Sequence, residues 1–408
     1  MNIFNQYRGL RKELYIIFWG RVVTAMGGLI WPMLTLILKN KLGYTAGEVA
    51  NLMLLVSICQ LPCMLIGGKI ADKFNKKNVI VICDMVTVIG YILCGILPMS
   101  KFLVVIFFIA GVFAQAEWPS YDALVANLST SEERERAYSL NYMGMNLGLI
   151  MAPTLGGLLF EEHLGLAFII SGVATFSSTV LIFFFIKDIA PSKDDSLEAS
   201  YEEADKSLSI KKIFSNAPVL FLFVICMGIE SSLYNIGNGF MMPLSLESLF
   251  GSHGAVIFGT MTSLNALTVI IGNPICTNLM KDVKDTQKIF LGVAFLMSGF
   301  AIFMFSGGRI SFYYLSMIIF TIGEILVTLG NKPYITKRVP SSHRGRMSSV
   351  AAVSSMIFQG IGLYLAGFLA DRFPLFAIWA GIIFFGIFNM LLLTVLIKRD
   401  KRQFPLLY

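Results

Sequence analysis

The chain has 408 residues, 56% of them hydrophobic and 14% charged, with a mean hydropathy of +0.74. Soluble domains carry about 25% charged residues, so these figures exclude an ordinary water-soluble enzyme and point to an all-α membrane protein. The formal charge of +7 would suit nucleic acid, but its basic residues sit in turns between apolar runs. There they report orientation in a lipid bilayer and bind nothing beyond headgroups; no nucleic-acid partner is expected.

Twelve apolar runs follow one another, at 14–38, 49–71, 79–98, 102–126, 138–160, 166–186, 219–242, 256–279, 289–307, 312–336, 348–370 and 375–397. A membrane-spanning helix needs about 20 mainly apolar residues, so twelve transmembrane helices are predicted. The residues before the first run are polar and basic (Arg8, Arg11, Lys12), and that run is long enough to span and remain. With the N-terminus inside, the internal segments, taken to include the whole turn 68–77 with Lys69, hold 25 of the 32 Lys and Arg. The external loops hold only Lys39, Lys41, Lys101, Arg309 and Arg372, while Arg21 and Lys332 lie within runs. By the positive-inside rule this places a multi-pass protein in the cell membrane with both termini in the cytoplasm.

Residues 187–216 break the rhythm with Asp194-Asp195, Glu202-Glu203 and Asp205 between lysines. They read as a solvated cytoplasmic linker between an N-terminal six-helix bundle, 1–186, and a C-terminal one, 217–408. The two bundles look like pseudo-symmetric repeats, a common plan in secondary transporters. Arg134-Glu135-Arg136 and Arg344-Gly345-Arg346 each open a run, and at the same offset Gly157 falls on Gly367, Leu159 on Leu369 and Glu161 on Asp371. At nearly that offset Gly28 and Pro32 meet Gly239 and Pro243.

Between the second and third runs lies Gly68-Lys69-Ile70-Ala71-Asp72-Lys73-Phe74-Asn75-Lys76-Lys77. Its order, a small residue, Asp72, Lys73, a turn-former, then Lys76 and Lys77, resembles the G-x-x-x-D-[RK]-x-G-[RK]-[RK] loop of the major facilitator superfamily. Asn75 replaces the usual Gly, and Asn tolerates a left-handed backbone better than most residues. The equivalent stretch of the second half, Lys281-Asp282-Val283-Lys284-Asp285, is merely charged. In the fifth run Gly148, Ala152, Pro153, Gly156 and Gly157 resemble the G-x-x-x-G-P-x-x-G-G motif of the superfamily's antiporters. Small residues four apart let helix backbones approach, and a proline bends its helix. The resemblance implies an alternating-access carrier, nearest the proton-coupled drug exporters.

Ionisable groups at mid-membrane cost about 2.5–3.5 kcal/mol on insertion scales, so those in the runs are functional candidates. Glu117, Glu230 and Glu324 lie near mid-span and are the expected proton-coupling residues. Arg21, Asp84, Asp122 and Lys332 lie nearer the cytoplasm, and Asp84 and Asp122 read as parts of a charge network there. Thr321, Glu324, Thr328 and Asn331 recur at helical spacing, which gives the tenth run one polar face. Glu230 shares a face with Tyr234 and Asn238. In the fourth run Gln115, Trp118 and Asp122 form one stripe, and Glu117 and Tyr121 another. Arg21, Gln115, Trp118, Tyr121, Tyr234, Asn238 and Thr328 are therefore the expected cleft lining. Aromatic faces attract cations, which suits a small amphipathic or cationic substrate. The plainer role for the acids is to pair with Arg21 or Lys332 and hold helices together.

A proton moving through 100 mV is worth about 2.3 kcal/mol, enough for roughly a fifty-fold concentration ratio. No phosphate-binding loop is present in the sequence, which disfavours a pump driven directly by ATP. The three histidines, His163, His253 and His343, sit in turns, and the six cysteines fall in apolar runs; no metal and no cofactor are expected. The leading reading is a monomeric proton-coupled exporter, not an enzyme. Its alternatives are proton-driven uptake of a sugar, amino acid or peptide, and, from another class, a transporter-like receptor or lipid scramblase. In the loop, Asp72 is expected to pair with Lys76 or dock at the N-terminal end of helix eleven near Gly345, latching the cytoplasmic side. Asp72→Asn should then raise cysteine labelling in the cytoplasmic cleft; unaltered labelling would dismiss the latch.

Overall fold

A computed structural model describes residues 7–130, 133–186, 214–215, 217–339 and 344–407. Nearly all of the 187–216 linker lies outside them, as do Arg344 and Arg346 beyond their backbone. Each apolar run lies on a helix or a pair of helices: α1 Lys12–Met26, α2 Ile30–Leu36, α3 Ala46–Lys73, α4 Lys76–Ile96, α5 Lys101–Ala116, α6 Trp118–Leu128, α7 Arg134–Leu149, α8 Ala152–Leu159 and α9 Leu164–Phe185. The second half continues with α10 Pro218–Asn235, α11 Met242–Phe250, α12 Gly254–Leu279, α13 Asp285–Met304, α14 Ile310–Arg338, α15 Arg344–Ala370 and α16 Leu375–Gln403. Among the described residues, 10 helical stretches are long and apolar enough to cross a membrane. Their outward faces carry large apolar side chains, such as Ile96, Phe102, Phe184 and Phe384, as lipid-facing helices require.

Four runs are broken, each beside a proline. The first breaks at Gly27–Gly28 ahead of Pro32, and the fourth at Glu117 ahead of Pro119. The fifth breaks between Leu149 and Ala152, ahead of Pro153. The seventh passes through a π-helical turn, Ile236–Met241, before Pro243. A proline cannot donate to the turn before it and its ring crowds that turn's carbonyl. Pro62, Pro274 and Pro333 lie inside continuous helices, so proline alone does not set a break. Of the four breaks, only that at Pro153 was foreseen as a bend.

The chain divides into two compact units. The first comprises Met1–Tyr44, Leu52–Lys193 and Leu246–Leu267; the second comprises Thr45–Asn51, Asp194–Ser245 and Thr268–Tyr408. In the first, α1 packs on α7 and α9, and α4 on α5 and α9. The glycine stripe of the fifth run makes these contacts close. A β-carbon on Gly148 would stand 2.6 Å from the Val22 carbonyl oxygen and the Met26 nitrogen, and one on Gly156 would strike the Leu29 backbone. On the opposite side, a β-carbon on Gly157 would stand 2.5 Å from the Ala255 carbonyl oxygen. In the second unit a β-carbon on Gly367 would strike the Ala50 β-carbon and stand 3.2 Å from the Gly47 Cα. Asp371 extends that contact: its carboxylate accepts from the Gly47 amide and the Thr45 hydroxyl, both at 3.1 Å.

The second unit is fastened at one end by a buried ion network. Arg338 grips Asp400 with two hydrogen bonds, Nη2 to Oδ2 at 2.6 Å and Nε to Oδ1 at 2.8 Å. Tyr334 donates to the same carboxylate at 3.1 Å, and its ring lies 3.9 Å beneath the guanidinium. Asp285 joins through Lys337 at 3.0 Å and Arg338 at 3.6 Å. Thus the start of α13 and the ends of α14 and α16 are tied together. Asp285 is a buried partner and not merely one charge in a turn.

Asn75 departs from its expected conformation. Its φ of −61° and ψ of 117° are extended, and its side chain accepts from the Asn78 amide at 3.0 Å. It serves as the N-cap of α4, where Asn ranks with the best residues, so no left-handed turn is needed. Gly68, Asp72 and Lys73 lie at the end of α3, and the side chains of Asp72 and Lys73 fall outside the described residues. Lys76 starts α4, and Lys77 sits 5.2 Å from the Phe183 ring centre.

Gly156→Val should cost about 1–3 kcal/mol by overpacking, because the obstructing atoms are backbone. Gly239→Ala, with nothing within 4 Å, should be tolerated, and thermal unfolding in detergent separates the two. Removing one partner of a buried ion pair costs about 3–5 kcal/mol. Arg338→Ala should therefore lower the unfolding midpoint by many degrees, while truncating exposed Lys398 leaves it in place.

Candidate functional site

Apart from the Arg338–Asp400 network, each unit holds a cluster of polar side chains between its helices among the described residues. In the first, α1 supplies Arg21, α4 Asp84, the α5–α6 break Glu117, α6 Trp118 and Tyr121, and α9 Thr179. Arg21 and Asp84 are each 4% exposed and Glu117 is 6% exposed. Glu117 caps the break ahead of Pro119: its amide bonds to the Phe113 carbonyl and its carbonyl accepts from the Tyr121 amide. The break keeps Glu117 facing inward while freeing the next turn to start afresh.

The Arg21 guanidinium carbon lies over two rings, 3.5 Å from the Tyr121 centroid and 5.0 Å from the Trp118 centroid. Its Nε and Nη2 have no hydrogen-bond partner, nor has Glu117 Oε2. The carboxyl groups of Asp84 and Glu117 stand within hydrogen-bonding range of each other. Thr179 Oγ1 donates to Asp84 Oδ2 at 2.6 Å. Asp84 is therefore a member of this cluster and not of a cytoplasmic charge network. Asp122 is exposed, and its backbone carbonyl accepts from the Tyr138 hydroxyl at 3.0 Å. Gln115 is half-buried and joins none of these contacts.

In the second unit Tyr234 is within hydrogen-bonding range of both Glu324 and Asn238. Glu230 stands one helical turn before Tyr234 and close enough to Glu324 for their charges to act on each other. Tyr234 stacks on Phe320 with ring centres 5.1 Å apart. Asn238 lies in the π-helical turn, and its Oδ1 has no partner. The polar face expected on α14 is graded. Thr321 is fully buried and donates to the Met317 carbonyl, Glu324 and Asn331 are half-buried, and Thr328 is exposed. Lys332 is exposed and forms no part of this cluster. A separate apolar cavity of about 390 Å³ lies between α10, α15 and α16, lined by Ile229, Phe358, Leu365 and Phe385. Its one hydroxyl, Ser232, already donates to the Phe358 carbonyl at 2.9 Å.

Sequence reasoning brought Glu230, Tyr234 and Asn238 together from helical spacing and set Glu324 apart on a polar face of its own helix, although the structure joins the two. It missed Thr179 and misplaced Asp84, because spacing fixes the face of one helix and not the helix it meets. The small-residue approaches of Gly20 to Ser178 and of Gly27 to Ala174 mark where α9 lies against α1. Among the described residues, no group of three or more His, Cys, Asp and Glu is arranged to hold a metal.

The profile of the Major Facilitator Superfamily matches residues 17–357. The chain is 22% identical over 372 residues to the quinolone resistance protein NorA of Staphylococcus aureus (strain MSSA476), covering 89% of this chain and 91% of NorA. It is 23% identical over 400 residues to the uncharacterized MFS-type transporter YqjV of Bacillus subtilis (strain 168), covering 92% and 93%. It is 19% identical over 348 residues to a Na(+), Li(+), K(+)/H(+) antiporter of Planococcus maritimus, covering 80% and 81%. Among solved structures, the peptide transporter POT in complex with sulfate superposes with a TM-score of 0.77 at 16% identity, over 97% of this chain and 96% of that one.

Proposed function

This chain belongs to the major facilitator superfamily, and from that premise we propose that it is a proton-coupled exporter of small amphipathic or cationic compounds. It is a multi-pass membrane transporter for a small molecule. In the proposed reading the twelve runs are twelve spans, grouped as bundles 1–186 and 217–408 that alternate access as a monomer with both termini in the cytoplasm.

The observation that carries the reading is the half-buried pair Glu230 and Glu324, linked to Tyr234 and Asn238 inside one unit. Two acids placed close together in a membrane interior resist holding two charges at once, so a proton on one of them is part of the arrangement. A cationic substrate can replace that proton, which is the elementary step of antiport. The apolar cavity on α10, the helix of Glu230, offers volume for the body of an amphipathic molecule. NorA, a relative along most of its length, is named for quinolone resistance, and another relative is a cation/proton antiporter. Uptake of a nutrient keeps the same fold and the same acids. The likeness to peptide transporters, at 16% identity, concerns the fold and does not favour uptake.

The test is dye movement in proteoliposomes under an imposed pH gradient. Wild type should move a lipophilic cationic dye against its gradient. Glu324→Gln should abolish the gradient-driven movement and retain dye exchange at equal pH. Full activity in Glu324→Gln, with unchanged pH dependence, would remove that residue from the mechanism. Saturable uptake of labelled peptides or sugars without dye movement would overturn export.

A further inference from the structure

The Asp84–Glu117 contact has a hydrogen requirement. Two carboxylates cannot hydrogen-bond without a hydrogen between them, so a bond across this contact takes at least one carboxyl proton. Thr179 tightens the count. Its single hydroxyl oxygen lies 2.6 Å from Asp84 Oδ2 and 2.8 Å from the Thr175 carbonyl oxygen, and a carbonyl only accepts. The three contacts therefore draw on one hydroxyl hydrogen and on the carboxyl protons. With one carboxyl proton two contacts are made; with two, all three are.

Arg21 supplies the second observation. It is close enough to act electrostatically on both carboxyl groups, yet its Nε and Nη2 remain unpaired and its face is spent on Tyr121 and Trp118. A buried guanidinium beside two bare carboxylates would be gripped by them in a forked pair. Stacking on rings is the arrangement expected when the carboxyls hold a proton. The other titratable groups facing the pair are Cys83 on α4, Tyr91 on α4 and Tyr121 on α6, with Asp122 facing Arg21; none of them is cationic.

We propose that Asp84 and Glu117 form a shared proton-binding site in the first unit, and that Arg21 moves from its aromatic stack onto the carboxylates when the proton leaves. This deepens the proton-coupled reading above and rests on it for its role in transport. The charges balance as follows. One proton, two carboxyl groups and one guanidinium make a neutral site. Transfer of the proton to water leaves two carboxylates and one guanidinium with net charge −1, and the unused N–H donors of Arg21 are the nearest means of holding them. Thr179 is a positioning residue that fixes the Asp84 rotamer.

The experiment needs neither substrate nor gradient. The full chain in detergent is titrated by infrared difference spectroscopy in H₂O and D₂O, with Glu230→Gln/Glu324→Gln as the background so that the other unit is silent. That background should retain one deuterium-sensitive protonated-carboxyl band that disappears as pH rises. Asp84→Asn and Glu117→Gln should each abolish it. Thr179→Val should shift its frequency, and Thr179→Ser should restore it. In a version with Trp118 as the sole tryptophan, emission should change with the same midpoint, and Arg21→Leu should flatten that change. A band unaffected by both Asp84→Asn and Glu117→Gln would overturn the site, and flat Trp118 emission across the titration would overturn the Arg21 movement. A titrating band without proton-driven dye movement would spare the site and defeat the coupled-transport reading; the reverse result would do the opposite.

Discussion

Hydrocarbon offers no partner to a charge, so every ionised group held between these helices must be answered by the protein itself. The two halves of the molecule meet this constraint in opposite ways. Arg338 has a forked pair with Asp400, a second acid in Asp285, and an aromatic face in Tyr334. Its Nε, Nη1 and Nη2 all have partners. Arg21 has two rings and two acids around it, yet two of its N–H groups are unpartnered. Full satisfaction makes a fastener. Partial satisfaction makes a site with somewhere else to go, and it costs stability that the rest of the bundle supplies.

The helix breaks decide where such sites stand. An unbroken helix at membrane depth satisfies its own backbone and can only present side chains. Glu117 and Asn238 instead lie at places where the regular turn fails, one beside Pro119 and one in the π-helical turn before Pro243. Irregular backbone is tolerated at this depth only where it is buried in protein or lines a cavity, and π-helical turns are frequent at functional sites. The continuous helices that contain Pro62, Pro274 and Pro333 show that a proline's neighbours matter as much as the proline.

Much of the plan was legible in the sequence because it rests on short-range regularities. Apolar length marks each helix, and small residues four apart mark the stripe where Gly148, Gly156 and Gly157 meet other backbones. Gly157 and Gly367, matched by offset in the sequence, each sit at a close contact, one against the Ala255 backbone and one against Ala50. Glu230, Tyr234 and Asn238 share one helix face, so spacing alone united them. What was not legible depends on long-range partners. Asp285, Arg338 and Asp400 come from three separate helices, and each looks like an ordinary turn charge until the helices pack. Asp84 was placed by depth, and depth does not reveal that Thr179 and Glu117 wait across the bundle. Asn75 was read through a family pattern that favours glycine, and the backbone there asks for a cap instead.

The stacking of Arg21 also alters how substrate recognition should be understood. Trp118 and Tyr121 suggest a cation receptor when read as sequence, since a ring face attracts positive charge. In the folded unit those faces already carry a cation of the protein's own. A cationic guest in that unit must therefore either displace a guanidinium from two rings or be held by the carboxyl groups directly. On the proposal above, displacement and proton release would lead to the same place, because both would send Arg21 toward Asp84 and Glu117. A substrate cation and a proton would then compete without touching the same atoms: one takes the rings, the other the carboxylates, and Arg21 cannot satisfy both vacated partners at once.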